Sequence, residues 1–348
     1  MSGGAAPLHG GLIGFGVIAS GHLEGYRQTD RMQVDFVVDE CAARRDAAKA
    51  FLPGVRTYST LDEALHHELP DFLDICTPPA SHLDLAVQGL ELGLLVLCEK
   101  PLVLDGSQLH KLVEAADASS GTLHPCHNYL FAPAIRALSQ EVRRIGGPVV
   151  GGEFTTIRPG HARGVSSWDP DWRRRPEISG GGILRDHGPH SIYIAESMVG
   201  RRVTGVACTV EHPPAGPWQS TEDIATMELH FDDTIVRVQL SWRGAARQTT
   251  YRLDLDGTSV QLADDRLVTT SRAETRSTSH HSEFNDPRHG SWFAALLSEA
   301  YDAHSEGVAH SSLLDSALAT VATLDAAYQS AARDGTIVLV PDLASARG

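Results

Sequence analysis

Lysine is nearly missing from this sequence: Lys49, Lys100 and Lys111 are the only three among 29 basic residues. Arginine carries the rest, so a lysine beside a chemically loaded motif raises the question of why a movable pKa was kept there. Basic charge is short overall. With 44 acidic residues the formal net charge is −15, which argues against a nucleic acid partner, because phosphate binding needs a local excess of Lys and Arg. A local arginine cluster could still grip an anion.

Paired cysteines are absent too. Cys41, Cys76, Cys98, Cys126 and Cys208 form an odd, scattered set without C-x-x-C. That argues against a disulfide framework or a thiolate zinc site and fits a reducing compartment. The H-x-x-H of His187 and His190, and the cluster His124, Cys126 and His127, lack the paired cysteines or carboxylate-rich helix of a zinc site, so no metal is expected. No apolar run approaches the roughly 18 residues of a membrane span. Met1 to Gly10 shows no basic segment followed by an apolar core, so no secretory leader is expected and the cytoplasm is the default.

What is present is a chain of 348 residues, long enough for two domains. Over residues 1–127, buried-looking apolar runs alternate with helical stretches, the pattern of a parallel sheet covered on both faces. Over residues 128–348, a helix ends at Gly146-Gly147-Pro148 and long alternating runs follow. These predict an α+β domain with one large, mostly antiparallel open sheet; Asp232-Asp233 and Asp256-Gly257 mark hairpins. Helices are expected at Pro189 to Val199, Ser291 to His304 and Ser312 to Arg333.

Gly14-Phe15-Gly16-Val17-Ile18-Ala19 reads G-x-G-x-x-A between the first strand and the first helix. Gly14 permits a tight turn, Gly16 lets backbone approach a pyrophosphate, and the helix start offers free N–H groups. The second strand ends at Asp39, placed to accept from a ribose 2′-OH and to repel a 2′-phosphate. NAD is therefore favoured over NADP. Arg44 and Arg45 lie close by and read as solvated helix residues.

Lys100 follows the fifth strand within Cys98-Glu99-Lys100-Pro101, where ligands sit in doubly wound sheets. An ammonium there can stabilise alkoxide character. A second constellation, Gly180-Gly181-Gly182 to Asp186-His187-Gly188-Pro189-His190, has glycines that admit a close approach by a ligand or another chain segment. Asp186 and His190 are four apart and face the same way near a helix start, as a base and its orienting carboxylate would.

Taken together these motifs resemble the glucose–fructose oxidoreductase, inositol dehydrogenase and rhizopine catabolism (Gfo/Idh/MocA) family. The resemblance rests on the glycine turn, Thr77-Pro78-Pro79-Ala80-Ser81-His82, Glu99-Lys100-Pro101, Asn128-Tyr129 before a Pro133-containing helix, Trp172-Arg173, and Asp186 with His190. It implies a Rossmann domain and an α/β domain whose sheet serves in a homodimer or homotetramer. It also implies a catalytic group of Lys100, Asp186 and His190, with His190 taking the hydroxyl proton, Asp186 orienting it and Lys100 polarising the substrate oxygen. Thr77, Pro78, His82, Glu99 and Lys100 would line NAD beside Gly14, Phe15, Gly16, Val17, Ile18 and Asp39. Substrate contacts are expected from Lys100, Asn128, Arg158, Trp172, Arg173, Asp186, His187 and His190. Two departures stand out: Tyr193 occupies a position where many relatives carry Asp, and His187 adds an imidazole beside the group.

The loop from Arg158 to Arg175 offers indoles to cover a ring and guanidinium groups to grip oxygens, with Arg174 and Arg175 equally readable as solvated. The expected activity is NAD-dependent hydride transfer at a carbinol or keto carbon of a sugar, cyclitol or derivative. Redox-neutral catalysis with retained NAD, and a non-enzymatic dinucleotide-binding regulator, remain as alternatives.

Overall fold

The computed structural model describes residues 6–280, 289–308 and 312–341. Chain order begins with β1 (Leu8–Ile13), α1 (Ala19–Arg27), β2 (Met32–Val38), α2 (Ala42–Phe51), β3 (Arg56–Tyr58) and α3 (Leu61–His67). It continues with β4 (Phe72–Ile75), α4 (His82–Glu91), β5 (Leu95–Cys98), α5 (Leu109–Ala118), β6 (Thr122–Pro125), α6 (Pro133–Ile145) and β7 (Val149–Ile157). Then come α7 (Pro176–Ser179), α8 (Ile183–Val199), β8 (Gly205–Glu211), β9 (Ile224–Phe231), β10 (Thr234–Ser241) and β11 (Gln248–Leu255). The chain closes with β12 (Thr258–Ala263), β13 (Arg266–Ser271), β14 (Thr275–Ser279), α9 (Gly290–Ser305), α10 (Ser312–Ala331) and β15 (Val338–Leu339).

The described residues fall into two compact units. The first takes Met1–Asn128, Arg163–Trp172 and Pro287–Asp315; the second takes Tyr129–Ala162, Arg173–Asp286 and Ser316–Gly348.

In the first unit six parallel strands run in the order β3-β2-β1-β4-β5-β6. This is the doubly wound arrangement, whose ligand crevice lies at the carboxyl ends beside the strand-order reversal. Four-residue strands such as Phe72–Ile75 and Leu95–Cys98 are buried throughout, because helices cover both faces. Ile13, Phe36, Val38, Leu61, Ala64 and Leu73 form one packed layer of this core. Helix α9 joins the unit by packing on α1, where Gly25 leaves only 2.7 Å between an added Cβ and Phe293 Cβ.

The second unit holds a nine-stranded sheet ordered β14-β13-β12-β11-β7-β10-β9-β8-β15. Its neighbours are antiparallel except for β7 and β10, which pair in parallel. Alternation in β9 and β10 puts Met227, Leu229, Phe231, Val236, Val238 and Leu240 on the buried face against α8. The opposite face is polar, with Arg237 paired to Glu228 at 3.0 Å.

Two sequence expectations need correction here. Strands β12 to β14 were not foreseen beyond the hairpin signal at Asp256-Gly257; β14 (Thr-Arg-Ser-Thr-Ser) is exposed at every position, so ladder pairing with β13 creates it without an apolar pattern. Helix α8 begins at Ile183, not at Pro189, and carries Pro189 inside it. The reason lies at its N-terminus. Glu222, far along the chain, accepts from Gly182 N at 2.8 Å and Leu184 N at 3.0 Å, capping the helix with a carboxylate no local motif reveals.

Candidate active site

Five of the six strands of the first unit lead directly into residues singled out from sequence: Gly14, Asp39, Thr77, Lys100 and Asn128. Gly14 has φ +90°, and a Cβ there would meet Thr77 Cγ2 at 2.9 Å and the Cys76 carbonyl carbon at 3.0 Å. Both the backbone and the space require glycine. Nothing lies within 4 Å of a Cβ placed on Gly16. Val17 is half exposed beside it, and no side chain caps α1 at Ile18.

Asp39 is fixed from both sides. Its Oδ2 accepts from Phe15 N at 2.8 Å and its Oδ1 from Cys41 N at 2.9 Å. Arg44 and Arg45 are not merely solvated. Arg44 Nε donates to the Phe15 carbonyl at 2.7 Å, and Arg45 Nη1 donates to the Asp39 and Glu40 carbonyls at 2.7 and 2.9 Å. Carbonyls freed by the sharp turn attract them. In the 163–172 segment, Trp168 Nε1 donates to Glu40 Oε1 at 2.6 Å, and Trp172 packs on Gly164.

His82 and Glu99 brace the turns rather than present a face to a ligand. His82 has no exposed surface; its Nδ1 and Nε2 lie 2.8 Å from the Pro101 and Thr77 carbonyls. Burial pulls its pKa down, and two neutral carbonyls do not offset that. Glu99 is buried, and its Oε2 accepts the Lys100 N–H at 3.1 Å. Lys100 itself is half-buried, ahead of a cis bond to Pro101. Among the described residues, His22, Asp74 and Cys76, and His22, Glu99 and Cys126, bring potential metal-ligand atoms within 4.8 Å of one another.

In the second unit the triple glycine serves another chain segment. A Cβ on Gly181 would lie 2.0 Å from Tyr328 Oη, and one on Gly182 would lie 2.2 Å from the Glu222 carbonyl oxygen. Tyr328 donates to Glu222 Oε1 at 2.9 Å. This close packing sets the start of α8, and α8 carries Asp186 and His190 one turn apart on one face.

Each of the two has a partner that the sequence did not point to. Asp186 Oδ1 accepts from Arg173 Nε at 3.3 Å, while Arg173 Nη1 also holds the Ala162 carbonyl at 3.0 Å. His187 Nε2 stands 3.7 Å from Asp186 Oδ2. His190 Nδ1 lies 2.6 Å from the Tyr193 hydroxyl. The Tyr129 ring covers the His190 imidazole, with centroids 4.1 Å apart. Arg158 is buried and spends its guanidinium on the Ile157 and Gln248 carbonyls and Thr249 Oγ1 at 2.8 to 3.1 Å. Arg174 is not solvated: it pairs with Asp223 at 2.5 Å and lies 4.5 Å over the Trp242 ring.

Residues 8–127 match the family model described as an oxidoreductase family with an NAD-binding Rossmann fold, and residues 144–262 match the GFO/IDH/MocA C-terminal domain. The chain belongs to the Gfo/Idh/MocA family. It is 29% identical over 200 residues to the Saccharomyces cerevisiae protein YMR315W, covering 56% of each chain. Oxidoreductase P35 of Formosa agariphila is 32% identical over 141 residues, 40% of this chain and 44% of that one. The chain thus spans about half the length of these two curated relatives. D-apiose dehydrogenase of Paraburkholderia graminis is 28% identical over 278 residues, 77% of this chain and 71% of that one. Among solved structures, GenD2 from gentamicin A biosynthesis in complex with NAD has a TM-score of 0.82 at 25% identity, covering 97% of both chains. A levoglucosan dehydrogenase complex with NADH and L-sorbose shares the fold, with a TM-score of 0.84 at 18% identity and coverage of 97% and 100%.

The first unit of this Gfo/Idh/MocA chain fits the NAD its family model names. The open space at Gly16, the uncapped start of α1 and the immobilised Asp39 carboxylate match the needs of a pyrophosphate and a ribose. Sequence reasoning passed over Glu222, the packing of Tyr129 on His190, and His22 and Asp74. The first two act through long-range packing, and the last two sit inside periodic elements where nothing local marks them.

Proposed function

We propose that the protein is an NAD-dependent dehydrogenase that oxidises a secondary carbinol of a sugar, cyclitol or related polyol, or reduces the matching ketone. One observation carries the reading: α8 sets Asp186 and His190 on one face, with the His190 ring held by Tyr193, in a chain whose Rossmann unit follows β5 with Glu99-Lys100. Bound NAD supplies the hydride acceptor. His190 accepts the hydroxyl proton as the carbinol becomes a ketone, and the Lys100 ammonium stabilises charge developing on the same oxygen. Tyr193 sets the imidazole's orientation, and Asp186, steadied by Arg173, adds a carboxylate beside it.

Asn128, Trp172, Arg173 and His187 supply substrate contacts, while the buried Arg158, hydrogen-bonded to Tyr129, supports that ring. Relatives named as D-apiose and levoglucosan dehydrogenases support sugar-like substrates and net redox turnover over the redox-neutral and regulatory readings. The test is a panel of levoglucosan, D-apiose, myo-inositol and simple glucosides with NAD, followed by NADH absorbance. Turnover of at least one supports the reading, and silence across the panel with both NAD and NADP contradicts it.

Among the described residues no helix is long and apolar enough to cross a membrane. Five free cysteines, four of them buried, support a reducing compartment, and we place the protein in the cytoplasm. Its nine-stranded sheet supports a homodimer or homotetramer assembled through the polar face, which light scattering would measure.

A further inference from the structure

Behind the turn that carries Lys100 lies a buried ionic triad. His22, on α1, has no exposed surface. Its Nδ1 lies 2.8 Å from Asp74 Oδ2, and its Nε2 lies 3.1 Å from Glu99 Oε1. Asp74 belongs to β4 and Glu99 follows β5, so one imidazole on the helix after the glycine turn ties together the elements that deliver Thr77 and Lys100. The Tyr26 hydroxyl donates to Asp74 Oδ2 at 3.0 Å, and the Cys76 thiol to Asp74 Oδ1 at 3.7 Å. Phe293 of α9 packs against the imidazole with ring centroids 4.0 Å apart. The titratable groups facing His22 are thus Asp74, Glu99, Tyr26, Cys76 and Cys126, with Lys100 beyond Glu99.

Ionised carboxylates only accept, so an imidazole held between two of them donates from both nitrogens and is an imidazolium. In that state the cluster works as a hydrogen-bonded buckle between α1, β4 and the turn after β5. Burial alone would lower the His22 pKa, but Asp74 and Glu99 override it and raise it to about 9. Burial would likewise raise Glu99, yet His22 and Lys100 hold it below the usual carboxylate range.

We propose that His22 is a positioning residue: its imidazolium fixes the Glu99 carboxylate, whose second oxygen fixes the Lys100 backbone. The proposal rests on Lys100 as a catalytic group, but its first test needs no substrate. Because the chain has three lysines, 15N-lysine labelling of the full-length protein yields three backbone amide signals, with Lys100 assigned by Lys100→Arg. In His22→Gln the Lys100 signal is expected to shift and its amide to exchange about tenfold faster, the loss of roughly one hydrogen bond, with Lys49 and Lys111 unmoved. A Lys100 signal unchanged in the folded variant overturns the proposal.

Should that variant not fold, Asp74→Asn retains an acceptor while removing one countercharge. The pH at which the Lys100 signal moves, near 9 in the parent, is then expected to fall by about a unit or more; an unchanged midpoint overturns the proposal. In turnover, His22→Gln is expected to lower kcat about tenfold while NADH affinity stays within about twofold. Equal loss of both, with Lys100 unmoved, means a purely structural role and ends it. If no sugar is turned over, the functional reading fails while the amide signals still judge the buckle.

Discussion

The Tyr193 hydroxyl lies 2.6 Å from Nδ1 of His190, three residues before it on the same helix. A phenol here fixes ring orientation without adding a carboxylate's charge to the imidazole. Tyr193 has no exposed surface, so its conformation is set by packing and the hydrogen bond inherits that rigidity. Replacing Tyr193 with Phe keeps the packing and removes the bond. The expected result is a fall in kcat of about tenfold to a hundredfold, comparable to the loss of other ring-orienting contacts, with the thermal midpoint changed little. Steady-state kinetics beside a melting curve measures both.

In the proposed reaction Lys100 acts on charge that develops only as the carbinol is oxidised. Lys100→Met is therefore expected to cost about a hundredfold or more in kcat while NADH binding, read by fluorescence titration, changes far less. A loss confined to KM would assign the ammonium to substrate binding instead.

The start of α8 tolerates no side chain at Gly182. A methyl there would stand 2.2 Å from the Glu222 carbonyl oxygen and press on the carboxylate that caps the helix. Gly182→Ala is expected to destabilise the second unit by about 1–3 kcal/mol, the usual cost of overpacking. Activity should fall with it, since Asp186 and His190 ride on that helix. Urea unfolding measures the loss.

Two buried histidines are expected to bound the stable pH range from opposite sides. On β6, His124 is fully buried with both ring nitrogens unpartnered, and burial pushes its pKa down to about 4. The unfolded chain binds that proton below about pH 6.5 while the folded one does not, so stability falls as pH drops from 6.5 towards 4. The loss is on the order of 3 kcal/mol by proton linkage. His124→Leu should abolish that component, moving the acid unfolding midpoint lower and leaving neutral stability equal or improved. His22 has the reverse sign. Its raised pKa gives stability that is full below pH 6.5 and lost as pH climbs through about 9. Thermal midpoints collected from pH 4 to 10 for parent and His124→Leu proteins would separate the two limbs.

The Rossmann half was legible because its signals are local. Gly14, Gly16, Asp39 and Lys100 each follow an apolar strand, and strand order then places them at one edge of the sheet. The α8 motif was half legible: the i, i+4 spacing of Asp186 and His190 survives, yet the helix start was misplaced because Glu222 caps it from 40 residues away. The solvated reading of Arg44 and Arg45, and the solvated alternative left open for Arg174, failed for one reason. Sequence does not say which carbonyls a sharp turn leaves free or which carboxylate lies within reach, and those decide where a guanidinium goes. Of strands β12 to β14, the edge strand β14 was missed because it has no apolar position, and β12 and β13 because each buries only two side chains, too few to stand out as a period.

In the proposed reaction hydride passes from a carbinol carbon to NAD while His190 takes the proton. That transfer is tested most directly by supplying a polyol from the active panel deuterated at its carbinol carbons and analysing the cofactor by mass spectrometry. Deuterium is expected in NADH together with a matching keto product, both lost in His190→Ala. Deuterium retained in the sugar, or released to water with no labelled NADH formed, would contradict that reaction.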